Sequence, residues 1–384
     1  MSVTAAKGFV ASGVHCGIRR TKPDLALVRS LAPATGAAMF TVNRVQAAPV
    51  IVSKQHLELA EPQAVAVNSG VANAATGLRG ELDARATAAE AARLLDLYAE
   101  EVLVLSTGVI GAPLPLEHVL PGLADAASAL SPGGDADAAA AILTTDTRPK
   151  QAAAVGPGFA VGGMAKGSGM IHPNLATMLA VVTTDYPLDP GEAAEFLRPA
   201  VAESFNAISV DGECSTNDAV VLLANGASGV RRDDDAFTAA LAAVCRDLAA
   251  QIVADGEGVT FVAEIEIAGA ASEAEAKAIA GRIATSSLVK TALNGRDANW
   301  GRILAAAGSA PYNGGYAQLD PAHTTLALNG VLVFAGGAPS HAGPILEGER
   351  CLIELDLGLG SGRASYLTAD LSHEYVTINA DYRS

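Results

Sequence analysis

In the run Lys166-Gly-Ser-Gly-Met-Ile-His-Pro-Asn-Leu-Ala-Thr-Met-Leu-Ala-Val-Val-Thr-Thr-Asp185, Thr177 follows Ala176 at the junction of two unlike segments. A flexible glycine-rich stretch precedes it, and the apolar run Met178 to Val182 after it reads as a buried strand. Scission of the Ala176–Thr177 bond would free an α-amine beside the Thr177 hydroxyl. One residue would then hold both nucleophile and base, because an α-amine titrates near pH ~8 and accepts a proton at neutral pH. The plainer alternative is a structural threonine at the start of a strand.

Other segments hold the residue types that such chemistry needs. Ser106-Thr107-Gly108 ends an apolar strand, and its backbone N–H groups with the Thr107 hydroxyl could hold an oxyanion. It also reads as a simple strand-to-turn transition. The polar stretch Asp211 to Asp218 looks like a loop lining a site. Lys290 to Arg302 looks similar, and its Arg296 and Arg302 suit either a carboxylate ligand or an internal ion-pair network. Asp255-Gly-Glu257-Gly reads as a helix end with a solvated Glu257.

Several familiar chemistries are disfavoured. Gly163-Met-Ala-Lys-Gly-Ser-Gly169 has the wrong order for a P-loop, and Gly156-Pro-Gly158 and Gly358-Leu-Gly-Ser-Gly362 fail the dinucleotide spacing. No Gly-x-Ser-x-Gly elbow lies between a clear strand and helix. His15, His56, His118, His172, His323, His341 and His373 are scattered, so no metal site is expected. Cys16, Cys214, Cys245 and Cys351 are widely spaced and read as free thiols of a reducing compartment.

The elements that must position these residues follow from patterning. Half of the 384 residues are apolar but only 4% are aromatic, so the core must be aliphatic and alanine-rich. The net charge of −16 argues against nucleic acid or an anionic membrane as partner. The start of the chain lacks a secretory signal, and the apolar runs look too short to cross a bilayer, so a cytoplasmic protein is expected. Strands are expected within 37–70, including Ala-Pro-Val-Ile-Val52, and at 101–105, 150–170, 218–224, 260–268, 324–334, 351–357, 363–369 and 375–379. Helices are expected at 83–100, 115–130, 135–143, 190–206, 235–254 and 271–285. The interleaving predicts an α/β or α+β protein with layered sheets and no independently moving domains.

Taken together, these segments resemble the ornithine acetyltransferase (glutamate N-acetyltransferase) family nearly end to end. The resemblance rests on Gly8-Phe-Val-Ala-Ser-Gly-Val, Phe40-Thr-Val-Asn-Arg-Val-Gln-Ala-Ala-Pro-Val, Asn68-Ser-Gly-Val-Ala-Asn-Ala-Ala-Thr-Gly77, Ser106-Thr-Gly-Val-Ile-Gly111 and Thr144-Thr-Asp146. It continues through Gly163-Met-Ala-Lys-Gly-Ser-Gly-Met, Asn174-Leu-Ala-Thr-Met-Leu, Ser215-Thr-Asn-Asp218, Val289-Lys-Thr-Ala, Asp297-Ala-Asn-Trp-Gly-Arg302 and Tyr375-Val-Thr-Ile-Asn-Ala-Asp-Tyr-Arg-Ser384. Val71, Ala75 and Ala298 depart from the common family pattern at positions that carry no chemistry.

The resemblance implies a layered α/β sandwich with chemistry like that of the Ntn hydrolases. It implies self-cleavage into residues 1–176 and 177–384, one intertwined catalytic unit assembled as α2β2. It assigns Thr177 as nucleophile and Thr107 with Gly108 as oxyanion hole. It places Thr144, Lys166, Thr177, Glu257, Asn379 and Ser384 in contact with substrate, so the end of the chain at Ser384 should reach the site. The reaction implied is ping-pong transfer of acetyl from N2-acetylornithine to glutamate in arginine biosynthesis. No bound cofactor is implied, and acetyl-CoA is an additional acetyl donor in bifunctional members. A self-processed aminopeptidase or amidase, a transferase restricted to acetylornithine, and a silent binding paralogue are the other readings.

Overall fold

The computed structural model describes residues 2–172, 178–340 and 344–381. Ala176, Thr177 and Ser384 lie outside the described residues, as does His341.

Strands that are apolar on both faces need cover on both faces, and this requirement sets the layers. Leu25–Ser30, Ala64–Val71 and Val102–Val109, with Phe9–Val14, make a four-stranded sheet. Thr35–Phe40, Ala219–Ala224, Leu179–Thr184, Phe159–Lys166 and Lys150–Gly156 make a five-stranded sheet in that order. Leu179, Val181, Ala219, Val221 and Leu223 point into a core shared with Val28, Val65, Val67, Leu103 and Leu105, so the two sheets lie face to face. The alternate residues Ala180, Val182, Val220 and Leu222 pack outward against Leu197, Phe237, Leu241 and Leu248 of two helices, Ala193–Ala202 and Asp234–Ala254. Leu25, Leu27, Val102 and Val104 pack against Val52, Ala88, Ala92 and Leu123 of the helices on the opposite side. The result is a layered α/β sandwich of helices, sheet, sheet and helices. A seven-stranded sheet built around Val262–Ala270 forms a separate core with Ile279, Ile283, Val289 and Ile303.

Three expected strands are otherwise. Ala48–Leu59, which contains Pro49-Val-Ile-Val52, is a helix with proline in its first turn, where a missing N–H costs nothing. It shields the open edge of the four-stranded sheet: Ser53 Oγ donates to Val104 O at 2.8 Å and accepts from Val104 N at 2.9 Å. The β-branched run favoured a strand, but edge cover decided the outcome. The stretch 324–334 is two strands, Thr325–Leu328 and Val331–Ala335, because Asn329 (φ 49) and Gly330 (φ 76) make the tight hairpin turn between them. Residues 375–379 lie within a helix, His373–Asp381.

Two smaller expectations also change. The helix expected at 83–100 spans Gly77–Leu95 and stops at Asp96, which adopts the left-handed conformation (φ 56). Asp234–Ala254 has 21 residues and contains an 18-residue window of mean hydropathy 1.5, so by length and composition alone it could cross a membrane, contrary to the expectation that no run would be long enough. Its apolar residues instead pack on the second sheet in the core described above.

Candidate active site

The two stacked sheets bring the candidate residues to one end. Lys166 ends its strand opposite Leu179, which begins the next, and Leu179 is paired in turn with Ala219. In the facing sheet, Val102–Val109 carries Thr107 and Gly108, the latter beside Gly70. The sheets are tied directly there: Lys166 Nζ donates to Thr107 Oγ1 at 3.1 Å. Thr107, Gly108, Thr144, Lys166, Glu257 and Asn379 line one pocket.

Ser106-Thr107-Gly108 lies at the end of its strand, which shifts register against Gly70 and Val71, stops at Val109 and passes into a turn at 110–111. Gly108 holds φ +132, and a Cβ there would sit 2.3 Å from the carbonyl carbon of Gly70. Only glycine brings the two strands this close. Asn217 Nδ2 donates to Ser106 O at 2.8 Å and to Ala72 O at 2.6 Å. A trans peptide is planar, so holding the Ser106 carbonyl also fixes the direction of the Thr107 N–H. Sequence reasoning placed Asn217 in a site-lining loop but found no role for it. Ser215, Thr216 and Asn217 do line the pocket.

Lys166 is only 2% exposed, and no carboxylate of a described residue lies within 4.0 Å of its ammonium. Burial pushes its pKa down, Lys150 adds to that, and Asp146, Asp218 and Glu257 oppose it. Such a cation, desolvated and facing a pocket, is suited to an incoming carboxylate.

Behind the pocket wall lies a cluster that sequence reasoning missed. Lys150 Nζ is 2.5 Å from both Asp146 Oδ1 and Asp255 Oδ2. Asp146 also accepts from Thr144 N at 2.9 Å and Gly167 N at 2.6 Å. Asp255 accepts from Thr147 N at 3.1 Å, so it is more than the end of a helix. Burial would raise the Asp146 pKa, but Lys166, Lys150 and the hydrogen bonds outweigh it and hold the carboxyl at about 2. A depressed pKa stabilises the fold at pH above the ordinary 3.8, and that contribution is lost as pH falls toward about 2. The urea midpoint should therefore fall between about pH 4 and about pH 2, and Asp146→Asn should flatten that limb. An acid limb of unchanged steepness in the variant would contradict this assignment.

Glu257 and Asn379 form the outer wall. Asn379 Nδ2 donates to Glu257 Oε2 at 2.7 Å, from a helix that has no buried residue. Gly169 lies so close that a Cβ there would meet the Glu257 carboxylate at 2.4 Å. Asp211 accepts from Met170 N at 2.5 Å and Ile171 N at 2.8 Å, and Tyr375 OH donates to it at 3.2 Å. Asp218 accepts from Met178 N at 2.9 Å through Oδ1 and is fully buried. Burial raises its pKa well above the carboxylate range.

The stretch Lys290 to Arg302 takes no part in this pocket. It forms the end of helix Ser287–Asn294 and the start of helix Trp300–Ala307. Arg296 donates to Thr260 O at 3.0 Å and stacks on the Phe261 ring, while Arg302 donates to Leu288 O at 3.0 Å. Both guanidinium groups bond to backbone carbonyls, and among the described residues neither makes an ion pair. Among the described residues, no three His, Cys, Asp or Glu side chains come together as a metal site.

The ArgJ family model matches residues 10–384. The arginine biosynthesis bifunctional protein ArgJ of Mycolicibacterium paratuberculosis is 50% identical over 396 residues, spanning 100% of this chain and 96% of that protein. The protein of the same name from Symbiobacterium thermophilum is 46% identical over 400 residues, spanning 100% and 98%. Among solved structures, ornithine acetyltransferase complexed with ornithine from Mycobacterium tuberculosis is 42% identical, with a TM-score of 0.42. The match covers 46% of this chain and 96% of the solved one.

Proposed function

The chain belongs to the ArgJ family, and we propose that it transfers the acetyl group of N2-acetylornithine to glutamate, giving ornithine and N-acetylglutamate in arginine biosynthesis. The observation that carries this reading is Lys166, a buried ammonium without a described carboxylate partner, bonded to Thr107 in a pocket shared with Gly108, Thr144, Glu257 and Asn379.

In this reading the precursor cuts itself between Ala176 and Thr177, giving residues 1–176 and 177–384 as one intertwined unit. The Thr177 oxygen attacks the acetyl carbonyl carbon, and the hydroxyl proton passes to the Thr177 α-amine. Thr107 and Gly108 hold the oxyanion of the tetrahedral intermediate. The bond from acetyl carbon to the ornithine α-nitrogen then breaks, and the α-ammonium of Thr177 returns its proton to that leaving nitrogen. The acetyl group is left as an ester on Thr177. The glutamate amine attacks this ester, a proton again passes through the α-amine, and Thr177 leaves as its hydroxyl. Lys166 meets the substrate α-carboxylate, Glu257 holds the ornithine side-chain ammonium, and Thr144, Asn379 and Ser384 complete the contacts. Water must be kept from the ester, or the acetyl group would be lost.

Several consequences can be measured. Incubation with acetyl-labelled N2-acetylornithine and glutamate should give labelled N-acetylglutamate and one equivalent of ornithine. Rapid release of labelled acetate without glutamate would instead identify an amidase. Glu257→Gln should raise the KM for acetylornithine about tenfold while changing that for glutamate much less. Equal increases for both substrates would count against the ammonium assignment. Relatives named bifunctional lead us to include acetyl-CoA as a second donor, tested by N-acetylglutamate formation from acetyl-CoA and glutamate. The assembly is α2β2, tested by the mass of the native particle.

A further inference from the structure

Lys150 is a fully buried cation that does not line the pocket, yet its partners hold three pieces of the pocket wall. Asp146, at 2.5 Å from its Nζ, binds Thr144 N and the amide of Gly167, the residue after Lys166. Asp255, also at 2.5 Å, binds Thr147 N and stands two residues before Glu257. Lys166 interacts electrostatically with the same Asp146 but forms its hydrogen bond with Thr107. Two buried lysines therefore flank one carboxylate, and only Lys150 is paired with it.

We propose that Lys150 is a positioning residue of the acyl-transfer pocket: by pairing with Asp146 and with Asp255, which Arg148 also faces at 4.0 Å, it fixes the Thr144, Gly167 and Glu257 segments and leaves Lys166 free to meet a substrate carboxylate. This rests on the proposed transferase function. An ionised carboxylate in a dry interior recruits whatever cation is near. Without Lys150, the cation left to Asp146 is Lys166, which would turn from Thr107 and the pocket. The charged and titratable groups facing Lys166 are Asp146, Lys150, Asp218 and Glu257. Of these only Lys150 is a cation, so its removal also makes the Lys166 ammonium harder to deprotonate.

The test uses Lys150→Met in the full-length protein, with Lys150→Met/Asp255→Asn as a second variant that removes one buried carboxylate together with the cation. The KM for both acetylornithine and glutamate should rise about tenfold or more while kcat changes about threefold or less. Independently of turnover, the Lys166 resonance of lysine-labelled protein, assigned by its loss in Lys166→Gln, should titrate at higher pH in the variant than in the wild type. A folded variant with unchanged KM values and an unmoved Lys166 titration overturns the proposal, as does failure of both variants to fold, which would make Lys150 a folding residue. If the wild-type protein transfers no acetyl group, the proposed function fails by itself, and the Lys166 titration still tests the role of Lys150.

Discussion

Thr177→Ala leaves the purified protein as one uncut chain and removes acetyl transfer, a loss on the order of 10⁴-fold or more relative to the wild type. The size follows from what one residue supplies. In the proposed mechanism its hydroxyl is the nucleophile of both the cut and the transfer, and its α-amine, released only by the cut, is the base. Alanine removes the first directly and prevents the second from being formed. Neighbouring groups do not substitute: Thr107 is already bonded to Lys166, and the described cysteines are free thiols whose Cys16, Cys245 and Cys351 are pushed up to about 12 by burial. Electrophoresis and a coupled ornithine assay check both halves. A variant that is cut and active would overturn the role of Thr177.

Gly108→Ala should have the second largest effect. Its φ of +132 is a conformation that a side chain disfavours, and the added methyl would stand 2.3 Å from Gly70 C, 2.5 Å from Gly70 O and 2.6 Å from Val71 N. All three are backbone atoms of the paired strand, so none can swing aside as a side-chain tip can. The strands must part at Gly108, whose N–H the proposed mechanism gives to the oxyanion. Loss of one such donor costs roughly 10²–10³-fold in kcat. The strain adds roughly 1–3 kcal/mol of destabilisation. Urea denaturation and single-turnover kinetics on the variant separate the two effects. Wild-type kcat in this variant would show that Gly108 has no part in the chemistry.

The layers were legible because strands buried on both faces are written as continuous apolar runs, as in Leu179–Thr184 and Ala219–Ala224. The departures arose where long-range contacts outweighed local preference. Pro49-Val-Ile-Val52 is β-branched, yet the bare edge at Val102 and Val104 needed a helix over it. The Asn329-Gly330 dipeptide is a turn signal, but the apolar residues on both sides of it continue the strand pattern across 324–334. Candidate site residues such as Thr107 and Lys166 stood in recognisable motifs. Lys150 stood in none, since a buried ion cluster assembled from Asp146, Lys150 and Asp255 has no periodicity along the chain. Asn217 was visible only as part of a polar loop, because its partners Ala72 and Ser106 are brought to it by the stacking of two sheets.

The proposed chemistry requires a cut that frees the Thr177 amine, and the denatured mass of the purified wild-type protein reports that cut. Two fragments are expected, residues 1–176 and residues 177–384, the larger giving Thr177 as its first residue on N-terminal sequencing. A single intact chain that stays intact on prolonged incubation, yet still transfers acetyl groups, would contradict that chemistry.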